Sequence, residues 1–281
     1  MRYKTILVYC NDLRRSKNLL ATATAIGEAH GAHIIGLNVL PPVSFVPAGA
    51  PAGPDAVVLD HLRKACEAER PSLAAAFETA MRGREVTSEW READAAESNV
   101  KDVILTQART ADLIVTSQSD ADWHGAEQLD IADDLVIASG RPVLIVPIGA
   151  HTLDWPPNVV VAWNGQREAT RAFFDALPLL RSALSVKIVQ IDSPSERIPG
   201  QISPTAGLRE TLLRHGVKYE ATEFIRSEKG AGEALIARMQ GDETDLLVMG
   251  CYGHSRLRES IFGGATQYIL QHMTVPVLMS R

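Results

Sequence analysis

The chain has 281 residues, enough for one large domain or two ordinary ones, and 46% apolar with 22% charged residues is a globular composition. A formal charge of −6 and a pI near 5.8 argue against a nucleic-acid binder, which favours a clustered basic face. The scattered Cys10, Cys66 and Cys251 form no C-x-x-C pair, which argues against a zinc site or a disulfide framework.

The first apolar run, Thr5–Tyr9, breaks at Asn11-Asp12, too early for a secretory leader. No run of about 18 apolar residues follows, so no membrane partner is expected and a cytoplasmic setting is the default. Leu13–His30 carries a helical pattern, and its Arg14-Arg15 pair reads as solvated helix surface. His33–Leu40 is again apolar. Pro41–Asp60, rich in Pro, Ala and Gly, is an excess of the first repeat, and its part Pro41–Pro54 reads as a recognition loop, a flexible surface excursion or a lid. A helix is predicted over His61–Met81, with Cys66, Leu73, Phe77 and Met81 on one stripe. Further strands are predicted near 85–90, 112–116 and 143–146.

The order then repeats. A run near 158–163 precedes a helix at Arg167–Ser182 and strands near 186–191, 217–225, 245–249 and 276–280. Asn11 to Asn164 and Ile35 to Ile188 are both offset by 153, and later elements by 133 or 134. The difference falls where 41–60 inserts extra residues. Such a match on both sides of one insertion indicates a duplicated domain. Continuous apolar runs suit strands buried on both faces, hence a parallel sheet. The predicted class is α/β, with two repeated doubly wound domains over residues 1–148 and 156–281. Each is a mainly parallel five-stranded sheet flanked by helices. The runs at Pro142–Pro147 and Pro276–Ser280 are led by proline, which suits sheet edges.

One segment carries chemistry. After the strand ending at Met249 come Gly250, Cys251, Tyr252 and Gly253, and Gly263-Gly264 precede a helical pattern over Ala265–His272. Glycine at a strand end lets backbone approach a ligand. A helix start presents unpaired N–H groups to an anion. His254, Ser255 and Arg256 supply side-chain donors between the glycines. The bland alternative is that these glycines only shape turns. Neither the dinucleotide fingerprint nor the P-loop pattern is present. His124 among Asp120, Asp122 and Glu127 admits a metal reading, against that of an incidental histidine in an acidic loop. Cys251 is either reactive or a small buried filler.

The duplicated pattern and the G-x-x-G-x9-G spacing at Gly250, Gly253 and Gly263 resemble a tandem universal stress protein over essentially the whole chain. The resemblance implies an adenine nucleotide alpha hydrolase-like fold. In ATP-binding members the loop wraps the triphosphate and ribose and ends G-[ST]; here Gly264 stands in the last place, with Ala265 and Thr266 following. Trp163-Asn164-Gly165 match the family's V-D-G-S segment, Ile191 would touch the base, and Met249 would line the pocket. The implied cofactor is ATP, with or without Mg. The implied assembly is a pseudo-dimer of the two repeats inside one chain, with a homodimer as a further option.

The first repeat departs from this pattern. Ser117 and Asp120 replace Gly250 and Gly253, and Leu129-Asp130 replace Gly263-Gly264, with Asp133-Asp134 following. Carboxylates at a helix start satisfy the dipole themselves and repel phosphate. One nucleotide per chain is therefore expected, in a stress-response or signalling module without assigned catalytic residues. A slow ATPase using the same loop and an interaction protein with a vestigial pocket are the alternatives.

Overall fold

The computed structural model describes residues 2–43, 54–96, 98–120, 122–123, 125, 129–149, 153–192, 205–241, 243–251 and 264–281. Among them the fold is α/β, with mostly parallel strands flanked by helices. The chain divides into two compact units, Tyr3–Arg141 and Pro142–Arg281. None of the described helices is long and apolar enough to cross a membrane.

In the first unit the strands are β1 (Thr5–Tyr9), β2 (His33–Leu40), β3 (Thr87–Asp94) and β4 (Leu113–Ser117), in the order β3-β2-β1-β4, all parallel. β1 and β4 are neighbours and are buried nearly throughout, as their unbroken aliphatic runs require. β3 is mostly exposed, because TSEWREAD supplies the polar surface of an edge strand. It begins at Thr87 rather than near residue 85 and runs on to Asp94, paired along the whole of β2.

Helix α1 (Leu13–His30) follows the predicted bounds because both ends are punctuated. The Asp12 side chain accepts a bond from the Arg14 N–H, and Gly31 closes the helix in the left-handed region. Helix α2 (Pro54–Met81) starts earlier than its composition suggests. Proline suits a first helical turn, where its missing N–H has no partner to lose, and Asp55 to Arg70 holds no further proline or glycine. The helix thus begins seven residues before the predicted His61 and takes in 54–60 of the inserted segment. Helices α3 (Val100–Ala108) and α4 (Ala132–Ala138) complete this unit.

The second unit contains β5 (Val143–Val146), β6 (Asn158–Ala162), β7 (Ser185–Asp192), β8 (Tyr219–Arg226), β9 (Leu246–Gly250) and β10 (Val277–Ser280). Their order is β5-β10-β9-β6-β7-β8, with β10 antiparallel to β5 and the other neighbours parallel. Its helices are α5 (Arg167–Ser182), α6 (Thr205–Arg214), α7 (Ala231–Gln240) and α8 (Gly264–His272). In both units the leading strand of the repeat, β1 or β6, has the next strand on one side and the fourth, β4 or β9, on the other. That reversal opens a crevice outside the carboxyl ends of β1 and β4, and of β6 and β9.

Candidate functional site

In the second unit the crevice is edged by one row of residues. Ser280 on β10 pairs with Gly250 on β9. Trp163 lies two residues beyond the Val161–Val248 pair, and Gln190 one beyond the Ala162–Val189 pair. The Trp163 N–H donates to the Val189 carbonyl at 2.8 Å. Its ring is buried edge-on against Phe173 of α5, with centroids 6.1 Å apart. Three buried polar atoms of the row, Trp163 Nε1, Gln190 Oε1 and Ser280 Oγ, have no hydrogen-bond partner among the described residues.

Gly250 is fixed by close approach. A Cβ there would stand 2.3 Å from both Ala169 N and Glu168 C, in the first turn of α5. Only glycine lets strand and helix touch at this point. Met249 is buried, Ile191 is half-buried and pairs with Ile225 of β8. Cys251 is buried too; both its N–H and its thiol bond to the Ser280 carbonyl, at 3.2 and 3.3 Å, which is the geometry of a filler.

The turn from β6 to α5 leaves donors in reach. Asn164 is exposed, and its Oδ1 accepts the Gln166 N–H at 3.0 Å. Gly165 has φ 74°, and no side-chain cap closes the start of α5 at Gln166. Glu168 is buried and paired with the exposed Arg167 at 3.0 Å. α8 begins at the exposed Gly264, where a Cβ would meet nothing within 4 Å among the described residues, followed by half-buried Ala265 and buried Thr266. Gly253, His254, Ser255, Arg256 and Gly263 lie outside the described residues.

The first unit fills the same crevice from within. Arg15, at the position matching Glu168, is 7% exposed rather than solvated, whereas the Arg14 side chain is 68% exposed. Nη1 of Arg15 donates to Asp130 Oδ1 at 2.7 Å, and at 3.4 Å to Ser117 Oγ and the Gln118 carbonyl. Nε lies 3.4 Å from Asp12 Oδ2 and Nη2 lies 3.6 Å from Asp120 Oδ2. The guanidinium also stacks over Trp123, 4.4 Å from the ring centroid. Asp130 in turn accepts the Asp120 N–H at 2.7 Å, and Asn11 donates to the Leu129 carbonyl at 2.9 Å.

These contacts set the carboxyls apart. Burial raises the Asp12 pKa, but hydrogen bonds from Arg14 and the charges of both arginines hold it below the usual range. For Asp130, burial outweighs its bond to Arg15 and raises the pKa. Burial pushes the Cys10 thiol up to about 12. Asp120 is engaged by Arg15, while His124 and Glu127 of the metal reading lie outside the described residues. The role of Arg15 is legible only when the two repeats are overlaid, which sets Arg15 against Glu168 and Asp130 against Gly264.

Residues 157–281 match the Universal stress protein family. A universal stress protein of Synechocystis sp. is 29% identical over 143 residues, which is 50% of this chain and 47% of that protein. The chain thus spans about half the length of the curated relative it matches. Among solved structures, a universal stress protein from Archaeoglobus fulgidus has a TM-score of 0.70 at 14% identity, covering 99% of this chain and 96% of its own. A functionally unknown protein from Pseudomonas aeruginosa has a TM-score of 0.57 at 15% identity, with 99% and 92% covered. These likenesses show that the fold extends over both units.

Proposed function

We propose that the second unit binds one adenine nucleotide, ATP with or without Mg, and that the chain is a nucleotide-dependent stress-response or signalling module. The observation that carries this reading is the contrast between the two helix starts at the switch point. In the first unit, Asp12 caps α1 and Asp130 stands where α8 begins in the second. In the second, Gly165 stands at the place of Asp12 and α8 opens on Gly264, so no carboxylate occupies either position, and a helix start without one suits an anion. The match of residues 157–281 to the family supports the same assignment.

In this reading the N–H groups of Gly264, Ala265 and Thr266 hold phosphate, together with the loop carrying Gly253, His254, Ser255, Arg256 and Gly263. Asn164 and Gly165 face the ribose or base, with Ile191, Met249 and Trp163 around it. Gly250 sets the floor.

Thermal unfolding with added ATP, and mass spectrometry of protein purified without ligand, test the assignment. ATP at about a hundred times its Kd adds roughly 2.7 kcal/mol of stability. Gly264→Asp places in the second unit the carboxylate found at Asp130. Among the described residues a Cβ at this position meets nothing within 4 Å, so the variant is expected to fold and to lose the ATP effect. Native protein that carries no nucleotide and melts at the same temperature with and without ATP overturns the proposal.

A further inference from the structure

We infer that Arg15 is a built-in occupant of the first unit's crevice: its guanidinium takes the place of a ligand and closes that unit to nucleotide. The geometry is that of a bound guanidinium. One side chain meets Asp130 at 2.7 Å, Asp12 at 3.4 Å and Asp120 at 3.6 Å, and its plane lies on the Trp123 ring. Three carboxylates around one cation leave an anionic lining that repels phosphate. Ion pairing to guanidinium, a planar multi-donor cation, and its stacking are features that ammonium does not reproduce. The pocket wall is also ordered by its occupant. Asp130, held by Arg15, binds the Asp120 N–H, and Arg15 reaches the Gln118 carbonyl, so the segment after β4 is tied to the first turn of α1.

Nothing in this requires the second unit to bind nucleotide, and the experiment separates the two. Arg15→Ala leaves the carboxylates without their cation, and its melting temperature falls by roughly 10 °C. Guanidinium chloride at about 10 mM recovers about half of the loss by binding the vacated site, whereas ammonium or sodium chloride at the same concentration does not. Arg15→Lys, which keeps the charge without the fork, melts below the wild type by a smaller margin; it replaces the alanine variant should that not fold. Equal melting of Arg15→Lys and wild type, or a loss in Arg15→Ala that guanidinium relieves no better than ammonium, overturns the inference.

ATP stoichiometry on the native chain gives the second readout. One nucleotide per chain agrees with both proposals. Two per chain overturns the closed first unit. None overturns the nucleotide reading of the second unit, and the rescue measurement then decides the first.

Discussion

The two crevices are built on the same strand order, yet among the described residues the first is filled by an arginine side chain, whereas the second is edged by glycines and by buried polar atoms without a partner. The difference rests on matched positions. Asp12, Arg15, Ser117 and Asp130 in the first unit stand where Gly165, Glu168, Gly250 and Gly264 stand in the second. A guanidinium buried to 7% exposure needs compensating carboxylates, since an unpaired charge in such surroundings is very costly. Once Arg15 is there, Asp12, Asp120 and Asp130 follow. Where the inward residue is Glu168, no such set is possible, and glycines take the facing places. A single charge inversion on the first helical turn thus goes with two different linings of one scaffold.

The largest effect that can break this comparison is steric. In Gly250→Ala the new methyl meets α5 backbone at 2.3 Å, so helix and strand must separate. The cost is about 3 kcal/mol, at the upper end for overpacking. Ser117 already holds a side chain at the matched place, and Ser117→Ala costs about 1 kcal/mol through its long 3.4 Å bond to Arg15. Denaturant unfolding of both variants measures the difference. Equal losses would show that the close helix–strand contact is not particular to the second unit.

That glycine also shows where sequence reasoning stops. The spacing of Gly250 from later glycines is visible in the chain, but the backbone of Glu168 and Ala169 pressing on it is not. It would be glycine for packing alone. The strand runs and helices α1 and α5 were legible because aliphatic runs, Asp12 and Gly31 act within a few residues. The start of α2 was not, since proline and alanine describe a loop and a first helical turn equally well. Arg15 was hidden for a third reason. Its partners Asp120 and Asp130 lie more than a hundred residues along the chain, so an arginine beside an exposed arginine reads as surface.

The matched asparagines sharpen the contrast. Asn11 is buried and its amide serves the Leu129 carbonyl, so Asn11→Ala strands that acceptor and costs about 1–3 kcal/mol. Asn164 is exposed and bonds only its own turn, so Asn164→Ala changes stability by about 0.5 kcal/mol or less. For ATP the order reverses. Asn164→Ala weakens binding about fivefold, the worth of one hydrogen bond of about 1 kcal/mol, and Asn11→Ala leaves it unchanged. Calorimetric titration beside thermal unfolding gives both numbers, and an Asn11 variant that loses ATP affinity would place the nucleotide in the wrong unit.

The smallest effect separates the units by acid. Asp94, at the end of β3, takes two bonds from Arg63 of α2, at 2.8 and 2.5 Å, while Arg63 also donates to the Pro41 carbonyl at 2.6 Å. The Arg63 bonds, against a smaller effect of burial and with help from the Ala96 N–H, hold the Asp94 carboxyl down to about 2 from 3.8. A depressed folded pKa means the stabilisation is complete above the unfolded value and is lost as pH falls from 3.8 towards 2. The Asp94 side chain is 45% exposed, so screening reduces the loss to about 1 kcal/mol. At the matching edge of the second unit, Arg226 and Asp192 stand 3.9 Å apart with side chains 81% and 47% exposed, too loose to matter. Unfolding followed between pH 4 and 2 therefore weakens the first unit more, and Asp94→Asn removes that part of the slope. An unchanged slope in Asp94→Asn would show that the first unit's sensitivity to acid comes from its other depressed carboxyls, Asp12 beside Arg14 and Glu89 beside Arg91. Of these, Asp12 lies inside the filled crevice and Glu89 on the edge strand β3.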